Sequence, residues 1–329
     1  MTKQKLNIVC AVVVAAVALL LTSCQGESTQ SSTKGLTKVY CDESFRNILD
    51  QEIEVFEYTY PEANIMAMYT DEASALDSLM HGACDLIITS RDLTDQQRDL
   101  LGKMGRAHRS RKIAVDAVAI IVNNANDIPE LSMQDLTDIF TGKVKRWGEV
   151  FPTAHKNDSI KVVFDGNGTG VMHYIKEKFV GNGKFGPNVF ARESTEDVFK
   201  AVEGQRNTIG FVGVSWISAT MDSQERTIED RVTDLNEKNE VSVIDFTDRI
   251  RVMPVRGPEE TRGYKPYQAY INDGRYPLYR VIWAIDASAG GTLDHGFYSF
   301  LTGVIGQKII MQTGILPAAE PVRTVEVTK

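Results

Sequence analysis

The stretch Asp165-Gly166-Asn167-Gly168-Thr169-Gly170 lies between an apolar run, Ile160 to Phe164, and a segment with helical periodicity, Val171 to Phe179. This order predicts a strand, a glycine-rich loop and a helix. Small residues let the backbone approach a ligand closely, and a helix N-terminus presents unpaired N–H groups and a partial positive charge. The loop is therefore a candidate oxyanion site, although glycine-rich connectors also follow strands without binding anything.

The glycine spacing does not fit the known nucleotide motifs. Val171 stands where the dinucleotide fingerprint has its third glycine, and no Gly-Lys-Ser/Thr follows. The chain also has no Gly-x-Ser-x-Gly or His-Glu-x-x-His motif. We therefore predict no catalysis, no cofactor and no metal site. We interpret the five histidines, which lack metal-ligand spacing, as structural or surface residues: His81, His108, His155, His173 and His295.

Residues 1–23 have the pattern of an export signal. Lys3 and Lys5 precede an apolar stretch, Ile8 to Leu21, which is shorter than a membrane-spanning helix requires. The box Leu21-Thr22-Ser23-Cys24 resembles that of bacterial lipoproteins, and the resemblance implies that Cys24 is the lipidated first residue of the mature protein. Residues 24–35, rich in Ser, Thr, Gln and Gly, then form a flexible tether. We expect the protein on the periplasmic or cell-surface side, held to the membrane by this anchor only.

The charge of the chain restricts its partners. Removing Lys3 and Lys5 with the signal takes the formal net charge from −8 to −10. Such an acidic protein is a poor binder of nucleic acid or of anionic membranes, so any anion must be bound by local dipoles and a few cations. Cys41 and Cys84 remain after processing, and they either pair as a disulfide or stay as buried thiols.

Strand-like and helix-like segments alternate along the chain. We predict strands at Thr37 to Tyr40, Ala63 to Tyr69 and Cys84 to Thr89, with helices between them. This order is typical of an α/β fold with a mostly parallel sheet flanked by helices. In such sheets ligands lie at the carboxyl ends of the strands, so Ser44, Phe45, Thr70 and Ser90-Arg91-Asp92 should converge on one cleft.

The length of the chain suits two domains. The apolar segment Ile113 to Val122 takes the chain into the second lobe, and Tyr276 to Trp283 brings it back. We predict that residues 36–118 and 278–329 form lobe 1 and that residues 119–277 form lobe 2, with a two-strand hinge between them.

Several motifs together resemble the phosphate-binding lipoprotein of the phosphate-specific ABC importer. In chain order they are Ser44-Phe45, Thr89 to Leu93, Asp127-Ile128-Pro129, Leu136 to Gly142 with Trp147, Asp165 to Thr169, Ile209 to Gly213 and Tyr276-Pro277-Leu278. The block Ile139-Phe140-Thr141-Gly142 with Trp147 is the most specific of them. The resemblance implies a type II periplasmic-binding-protein fold, a monomer, that closes on inorganic phosphate and delivers it to an ABC permease.

The resemblance also implies the roles of individual residues. Ser44 and Phe45 supply a hydroxyl and a backbone N–H, Thr70 a second hydroxyl, and Asp92 accepts a proton from the bound phosphate. The second-lobe loop supplies Asp165, Asn167, Gly168 and Thr169.

The chain departs from the family pattern at two positions. Val163 stands where the family has an arginine, and Asn167 where it has a serine. We expect Arg91 to supply the missing guanidinium. The departures leave open another oxyanion, such as sulfate or molybdate, in the same fold. A third reading is an exported phosphoester hydrolase with Ser44 or Thr169 as nucleophile, although no histidine base accompanies either residue in a known motif.

Overall fold

The computed structural model describes residues 31–152, 155–166, 170–221, 227–229, 233 and 248–319. The predicted signal, most of the tether with Cys24, and Asn167, Gly168 and Thr169 of the second-lobe loop lie outside these residues. Within the described part of the chain, no helix combines the length and the apolar character needed to cross a bilayer.

One sheet runs through the molecule in the strand order β2-β1-β3-β11-β4-β8-β6-β7, with β9 and β12 paired to β4. The strands of this sheet are β1 (Gly35–Asp42), β2 (Ala63–Thr70), β3 (Leu86–Thr89), β4 (Arg109–Asn123), β6 (Lys161–Asp165), β7 (Val189–Arg192), β8 (Thr208–Gly213), β9 (Ile250–Val252), β11 (Tyr279–Asp286) and β12 (Leu316–Pro317). A separate pair consists of β5 (Leu131–Ser132) and β10 (Val255–Arg256).

Each half of the sheet contains three parallel strands. β1 pairs parallel to both β2 and β3 in the first half, and β6 pairs parallel to both β7 and β8 in the second. β4 and β11 run antiparallel to their neighbours, because β4 leads the chain into the second half and β11 returns it.

β4 belongs to both halves of the sheet. Residues 109–117 pair with β11, and residues 118–122 pair with β8. The change of partner falls between residues 117 and 118, and β11 begins at residue 279. The division into lobes at residues 118 and 278 stays a prediction. The predicted α/β fold, with two sheet halves joined by two strands, is confirmed.

Helices cover the sheet and connect its strands. They are α1 (Arg46–Thr59), α2 (Glu72–Met80), α3 (Asp95–Lys103), α4 (Met133–Phe140), α5 (Gly170–Ile175), α6 (Thr195–Gly204), α7 (Val214–Met221), α8 (Gln268–Asn272), α9 (Leu293–Leu301) and α10 (Val304–Gln312). A 3-10 turn, Glu43–Phe45, precedes α1, and a π-helical turn, Lys176–Val180, follows α5. The helix predicted at Val171 to Phe179 is therefore present as two consecutive segments, the α-helix α5 and the π-helical turn.

The most specific motif of the sequence forms core. Phe140 and Trp147 are buried, and the Phe140 ring packs on Phe179 and Phe211. Gly210 on β8 has a packing role, because a β-carbon there would lie 2.8–2.9 Å from side chains of β4 and α6. These motif residues fix how helices pack on the second half of the sheet.

Candidate functional site

The first strand-end loop is buried at the carboxyl end of β1. Asp42 ends the strand and caps the 3-10 turn, because its Oδ1 accepts a hydrogen bond from the Ser44 N–H (2.9 Å). The Ser44 hydroxyl donates to the same oxygen (2.5 Å). Ser44 and Phe45 are each 1% exposed, so this loop presents its hydroxyl to a closed interior and not to bulk solvent.

A buried arginine contacts this loop. Arg280 on β11 is 4% exposed, and its Nη1 donates to the Ser44 hydroxyl oxygen (2.8 Å). Its Nε and Nη2 donate to Asp116 Oδ2 on β4 (3.2 and 2.9 Å), and its Cζ lies 4.3 Å from the centre of the Phe45 ring. Asp116 and Arg280 are direct cross-strand partners on the two strands that join the sheet halves. Arg280 therefore places a positive charge against the first strand-end loop, from one of the two strands that join the sheet halves.

Gly170, the last residue of the glycine-rich stretch, approaches the same cluster from the second half of the sheet. The N–H of Gly170, the first residue of α5, donates to Asp42 Oδ1 (3.3 Å). A β-carbon at Gly170 would lie 2.7 Å from Arg280 Nη1, 2.9 Å from Asp42 Oδ2 and 3.0 Å from Ser44 Oγ. These distances are too short for a side chain, so only glycine permits this approach. We call the group Asp42, Ser44, Asp116, Gly170 and Arg280 the hinge cluster.

Burial controls the titration of the two carboxyl groups in the hinge cluster. It raises the pKa of Asp42 above the ordinary value, and the nearby Arg280 charge and the hydrogen bonds from Ser44 and Gly170 offset it only in part. Burial likewise raises the pKa of Asp116 in spite of its ion pair with Arg280. Two carboxyl groups thus share one guanidinium, and the cluster has no excess positive charge.

Thr70 and Asp165 line a neighbouring cavity of about 420 Å³. Residues of both sheet halves surround it, including Arg46 and Trp216. Asp165 is 6% exposed, and its Oδ2 accepts a hydrogen bond from Thr195 at the start of α6 (2.9 Å). The Trp216 indole donates to the Ser44 carbonyl oxygen (3.4 Å), which connects this cavity to the hinge cluster.

Arg91 and Asp92 line a different cavity, of about 740 Å³, which Arg280 also borders. Arg91 is 45% exposed at its side chain, and its Nε donates to Glu72 (2.8 Å). Asp92 accepts hydrogen bonds from the Leu93 N–H (2.7 Å), the Ser110 hydroxyl and the Arg98 guanidinium. Burial acts to raise the pKa of Asp92, but these three hydrogen bonds and the charge of Arg98 outweigh it and hold that pKa below its ordinary value.

Those predicted site residues that the structure describes therefore separate into three groups. Ser44 and Phe45 lie in or against the hinge cluster, Thr70 and Asp165 border one cavity, and Arg91 and Asp92 border the other. Arg91 does not take the position expected for the replacement of the cation missing at Val163, because Glu72 holds its guanidinium on the exposed side. Arg280 contacts Ser44 instead.

Sequence reasoning missed Asp42, Asp116 and Arg280. A signal for two of them was present, because Asp116 is the one acidic residue in the apolar run Ile113 to Val122, and Arg280 is the one charge in Tyr276 to Trp283. Opposite charges inside two runs that are otherwise free of charge indicate a buried pair. Recognising that pair required the register of β4 and β11, which the sequence does not supply.

Cys41 and Cys84 are both buried and both free, so the open question of a disulfide is answered for this pair. Burial, with further contributions from neighbouring acidic residues, raises the pKa of each thiol, for Cys84 to about 12. Within the described ranges, no group of three or more His, Cys, Asp or Glu side chains is arranged to hold a metal ion.

Comparison with known proteins assigns the chain to a family. The model of the PBP superfamily domain matches residues 26–304. Among the relatives is the phosphate-binding protein PstS of Pseudomonas aeruginosa, 25% identical, with the match covering 84% of this chain and 80% of that protein. The phosphate-binding protein PstS of Staphylococcus saprophyticus is 24% identical over 88% of this chain and 83% of that protein.

Solved structures share the fold. A putative phosphate ABC transporter substrate-binding protein with bound phosphate from Clostridium perfringens superposes with a TM-score of 0.64 at 18% identity, covering 87% of this chain and 100% of that one. An ABC-type phosphate transport receptor from Vibrio cholerae gives a TM-score of 0.60 at 18% identity, with coverages of 86% and 100%. The chain belongs to the PBP superfamily and has the type II periplasmic-binding-protein fold.

Proposed function

We propose that this protein is an extracytoplasmic solute-binding lipoprotein that captures inorganic phosphate between its two lobes and delivers it to an ABC permease. Residues 36–118 with 278–329 form one lobe, and residues 119–277 form the other. The support is that the relatives are named for phosphate binding.

The observation that carries the proposal is the guanidinium of Arg280. Within the described part of the chain, its hydrogen bonds use three of its five N–H groups. The other two are available to a ligand. A charge-assisted hydrogen bond from a desolvated guanidinium to an oxyanion is about twice as strong as a neutral one. Arg280 thus provides, from the hinge, the cation that the family pattern has at the position of Val163.

The remaining ligands are assigned by their position around Arg280. We propose that the Phe45 N–H group and the loop residues Asn167, Gly168 and Thr169 bind phosphate with Arg280, together with the Ser44 hydroxyl, which turns from Asp42 to the anion. Thr70 and Asp165 contribute from the adjoining cavity. Asp92 and Arg91 support the strand-end loop through Ser110, Arg98 and Glu72.

We also propose that Cys24 carries the lipid anchor and that the chain acts as a monomer. The support for the anchor is the Leu21-Thr22-Ser23-Cys24 box at the end of an apolar stretch. Metabolic labelling with palmitate should mark the wild type and not Cys24→Ala. Equal labelling of both proteins would contradict the anchor.

The test of the function is the identity and affinity of the anion. Purified mature protein should release phosphate when it is denatured, and calorimetric titration of the refolded protein should show tight binding of phosphate and much weaker binding of sulfate. Release of sulfate or molybdate, with tight rebinding of that anion, would replace the ligand while keeping the fold.

A phosphoester assay on the same preparation tests the catalytic alternative. The described hydrogen-bond partners of the Ser44 hydroxyl are Asp42 and Arg280, and no histidine is among them. We therefore expect no turnover. Turnover that disappears in Ser44→Ala would make the protein a hydrolase.

A further inference from the structure

A further cavity, of about 390 Å³, lies between α9, the start of β4 and the end of β11. We call it the α9 cavity, and it is lined by Arg109, Ser110, Arg111, His295, Tyr298, Ser299 and Thr302. Along β11, six residues lead from Arg280 of the hinge cluster to Asp286, the strand partner of Arg109, and they span about 20 Å. The α9 cavity is therefore separate from the candidate phosphate site.

The α9 cavity is positively charged. Within the described residues, two arginines and no carboxyl group line it, whereas both cavities of the candidate site contain several carboxyl groups. Asp286 lies behind the lining and is fully buried. Its Oδ2 accepts hydrogen bonds from Arg109 Nη1 (2.8 Å) and His295 Nδ1 (2.9 Å), and its Oδ1 accepts from Ser288. Asp286 thus neutralises Arg109, and the charge of Arg111 remains.

The arginines of the α9 cavity have N–H groups without an acceptor in the described part of the chain. Arg111 is exposed and makes no side-chain hydrogen bond or ion pair there. Arg109 uses only its Nη1, which bonds Asp286 and the Ser288 carbonyl oxygen, so its Nε and Nη2 groups stay open. The hydroxyls of the lining that are bonded elsewhere are those of Ser110, Ser299 and Thr302.

The strongest indication of a ligand is the hydroxyl of Tyr298. The residue is 4% exposed, and its hydroxyl oxygen is buried with no hydrogen-bond partner among the described residues. Its ring stacks on His295, with ring centres 6.2 Å apart. Burial raises the pKa of Tyr298, and the charges of Arg111 and Arg109 act in the opposite direction, so both guanidinium groups are close enough to influence the hydroxyl. A buried hydroxyl without a partner is costly, and an anion bound in the cavity would supply an acceptor.

α9 also contacts the first described residues of the chain. A β-carbon at Gly296 would lie 1.7 Å from the carbonyl oxygen of Ser32, so only glycine lets the chain pack here, next to His295. Cys24 precedes Ser32 by eight residues, which span at most about 29 Å. A lipid on Cys24 would therefore hold α9 near the membrane surface.

We propose that the α9 cavity binds the phosphate group of a phospholipid and thereby sets how the anchored protein lies on the membrane. The choice of a phospholipid rests on the proposed anchor at Cys24. A phosphodiester has two free oxygens that can accept parallel hydrogen bonds from a guanidinium group such as that of Arg111. The Tyr298 hydroxyl donates to the same group. Because the chain as a whole is acidic, attraction to phospholipid is confined to this cavity.

NMR titration of the mature chain with Cys24→Ser, produced without lipid, tests the proposal. One equivalent of phosphate first fills the cleft. Dihexanoyl phosphatidylglycerol, kept below the concentration at which it forms micelles, should then shift the ring signals of His295 and Tyr298 in a saturable way. Octyl glucoside, which has an alkyl tail and no phosphate, should leave these signals unchanged.

Variants identify the groups that bind the headgroup. Arg111→Ala should weaken binding of the lipid by about tenfold, since a charge-assisted hydrogen bond is lost. Lys112→Ala is the matched control, because Lys112 is an exposed neighbour that lies over the Trp283 ring (5.6 Å) and does not line the cavity. It should keep the affinity within about twofold. Tyr298→Phe removes only the hydroxyl, so binding should weaken about two- to tenfold while the melting temperature stays equal or rises.

The outcomes separate this inference from the proposed function. Shifts caused by added inorganic phosphate but not by the lipid would overturn the assignment to phospholipid. Equal shifts with octyl glucoside, or equal weakening in Arg111→Ala and Lys112→Ala, would overturn binding of a phosphate group in the cavity. If the first equivalent of phosphate shifts no cleft signals while the lipid shifts those of His295 and Tyr298, the proposed function fails and this inference holds.

Discussion

Arg91 and Arg280 lie in contrasting surroundings. Arg91, just after β3, is 45% exposed at its side chain and bonds Glu72, whereas the side chain of Arg280, on β11, is 3% exposed and bonds Asp116 and Ser44. The first belongs to a loop that borders an open cavity, and the second to a strand that joins the two sheet halves. Only the second is desolvated enough for its charge to act strongly on an anion.

The comparison shows that strand-end loops and the strands that join the sheet halves supply different groups to a ligand site. Strand-end loops supply hydroxyl and N–H groups that the chain can place anywhere along the edge. A desolvated cation needs an opposite charge fixed beside it, and adjacent strands in register provide this. In this protein the register of Arg280 with Asp116 does so, and the strand-end loop of Arg91 does not.

The largest effect separating the two regions should come from Arg280→Ala. The change leaves the buried Asp116 and Asp42 carboxyl groups without their cation, so we expect the free energy of unfolding to fall by about 3–5 kcal/mol. Urea denaturation at neutral pH measures this fall in the free energy of unfolding.

The matched control is Arg91→Ala, which removes a half-exposed ion pair with Glu72. We expect a loss of no more than about 1 kcal/mol. Equal losses in the two variants would mean that burial does not strengthen the interactions of Arg280, which would contradict the comparison of the two arginines.

A smaller effect should follow from closing the approach of α5 to the hinge cluster. In Gly170→Ala the β-carbon would press against Arg280, Asp42 and Ser44, so the cluster or the helix must shift. Overpacking of this kind costs about 1–3 kcal/mol, and we expect phosphate affinity to fall by about tenfold or more.

Gly102→Ala in α3 serves as the control for this change. A β-carbon there would meet nothing within 4 Å, and alanine favours the helix. Its stability should stay equal or rise slightly, with unchanged phosphate affinity. A harmless Gly170→Ala would show that α5 does not approach the hinge cluster this closely in solution.

The smallest effect concerns the pH dependence of the strand-end loop. The pKa of Asp92 lies below its ordinary value, so its ionised form stabilises the fold above the unfolded pKa, and this contribution is lost as pH falls through the folded pKa. Asp92→Asn should therefore lower the free energy of unfolding by about 1 kcal/mol at neutral pH, and the deficit should shrink below a pH of about 4. Urea denaturation at several pH values measures the deficit, and a value that grows on acidification would contradict the assigned hydrogen bonds.

The sequence predicts the architecture well because its signals are local. Apolar runs such as Ile113 to Val122 and the alternation of strands with helices reflect periodicity within single elements, and β4 and β3 lie where they were expected. The candidate site is only partly predictable. Ser44 and Phe45 were found because they follow a strand, whereas Arg280 was missed because its partner Asp116 is 164 residues away in the chain. Cross-strand register and burial, which no local pattern encodes, decide which charges meet.

A crystal structure of the mature protein with phosphate tests the central claim most directly. We predict a phosphate ion within hydrogen-bonding distance of the Arg280 guanidinium and the Ser44 hydroxyl. A phosphate bound to Arg91 at the strand-end loop, with Arg280 still bonded only to Asp116 and Ser44, would contradict it.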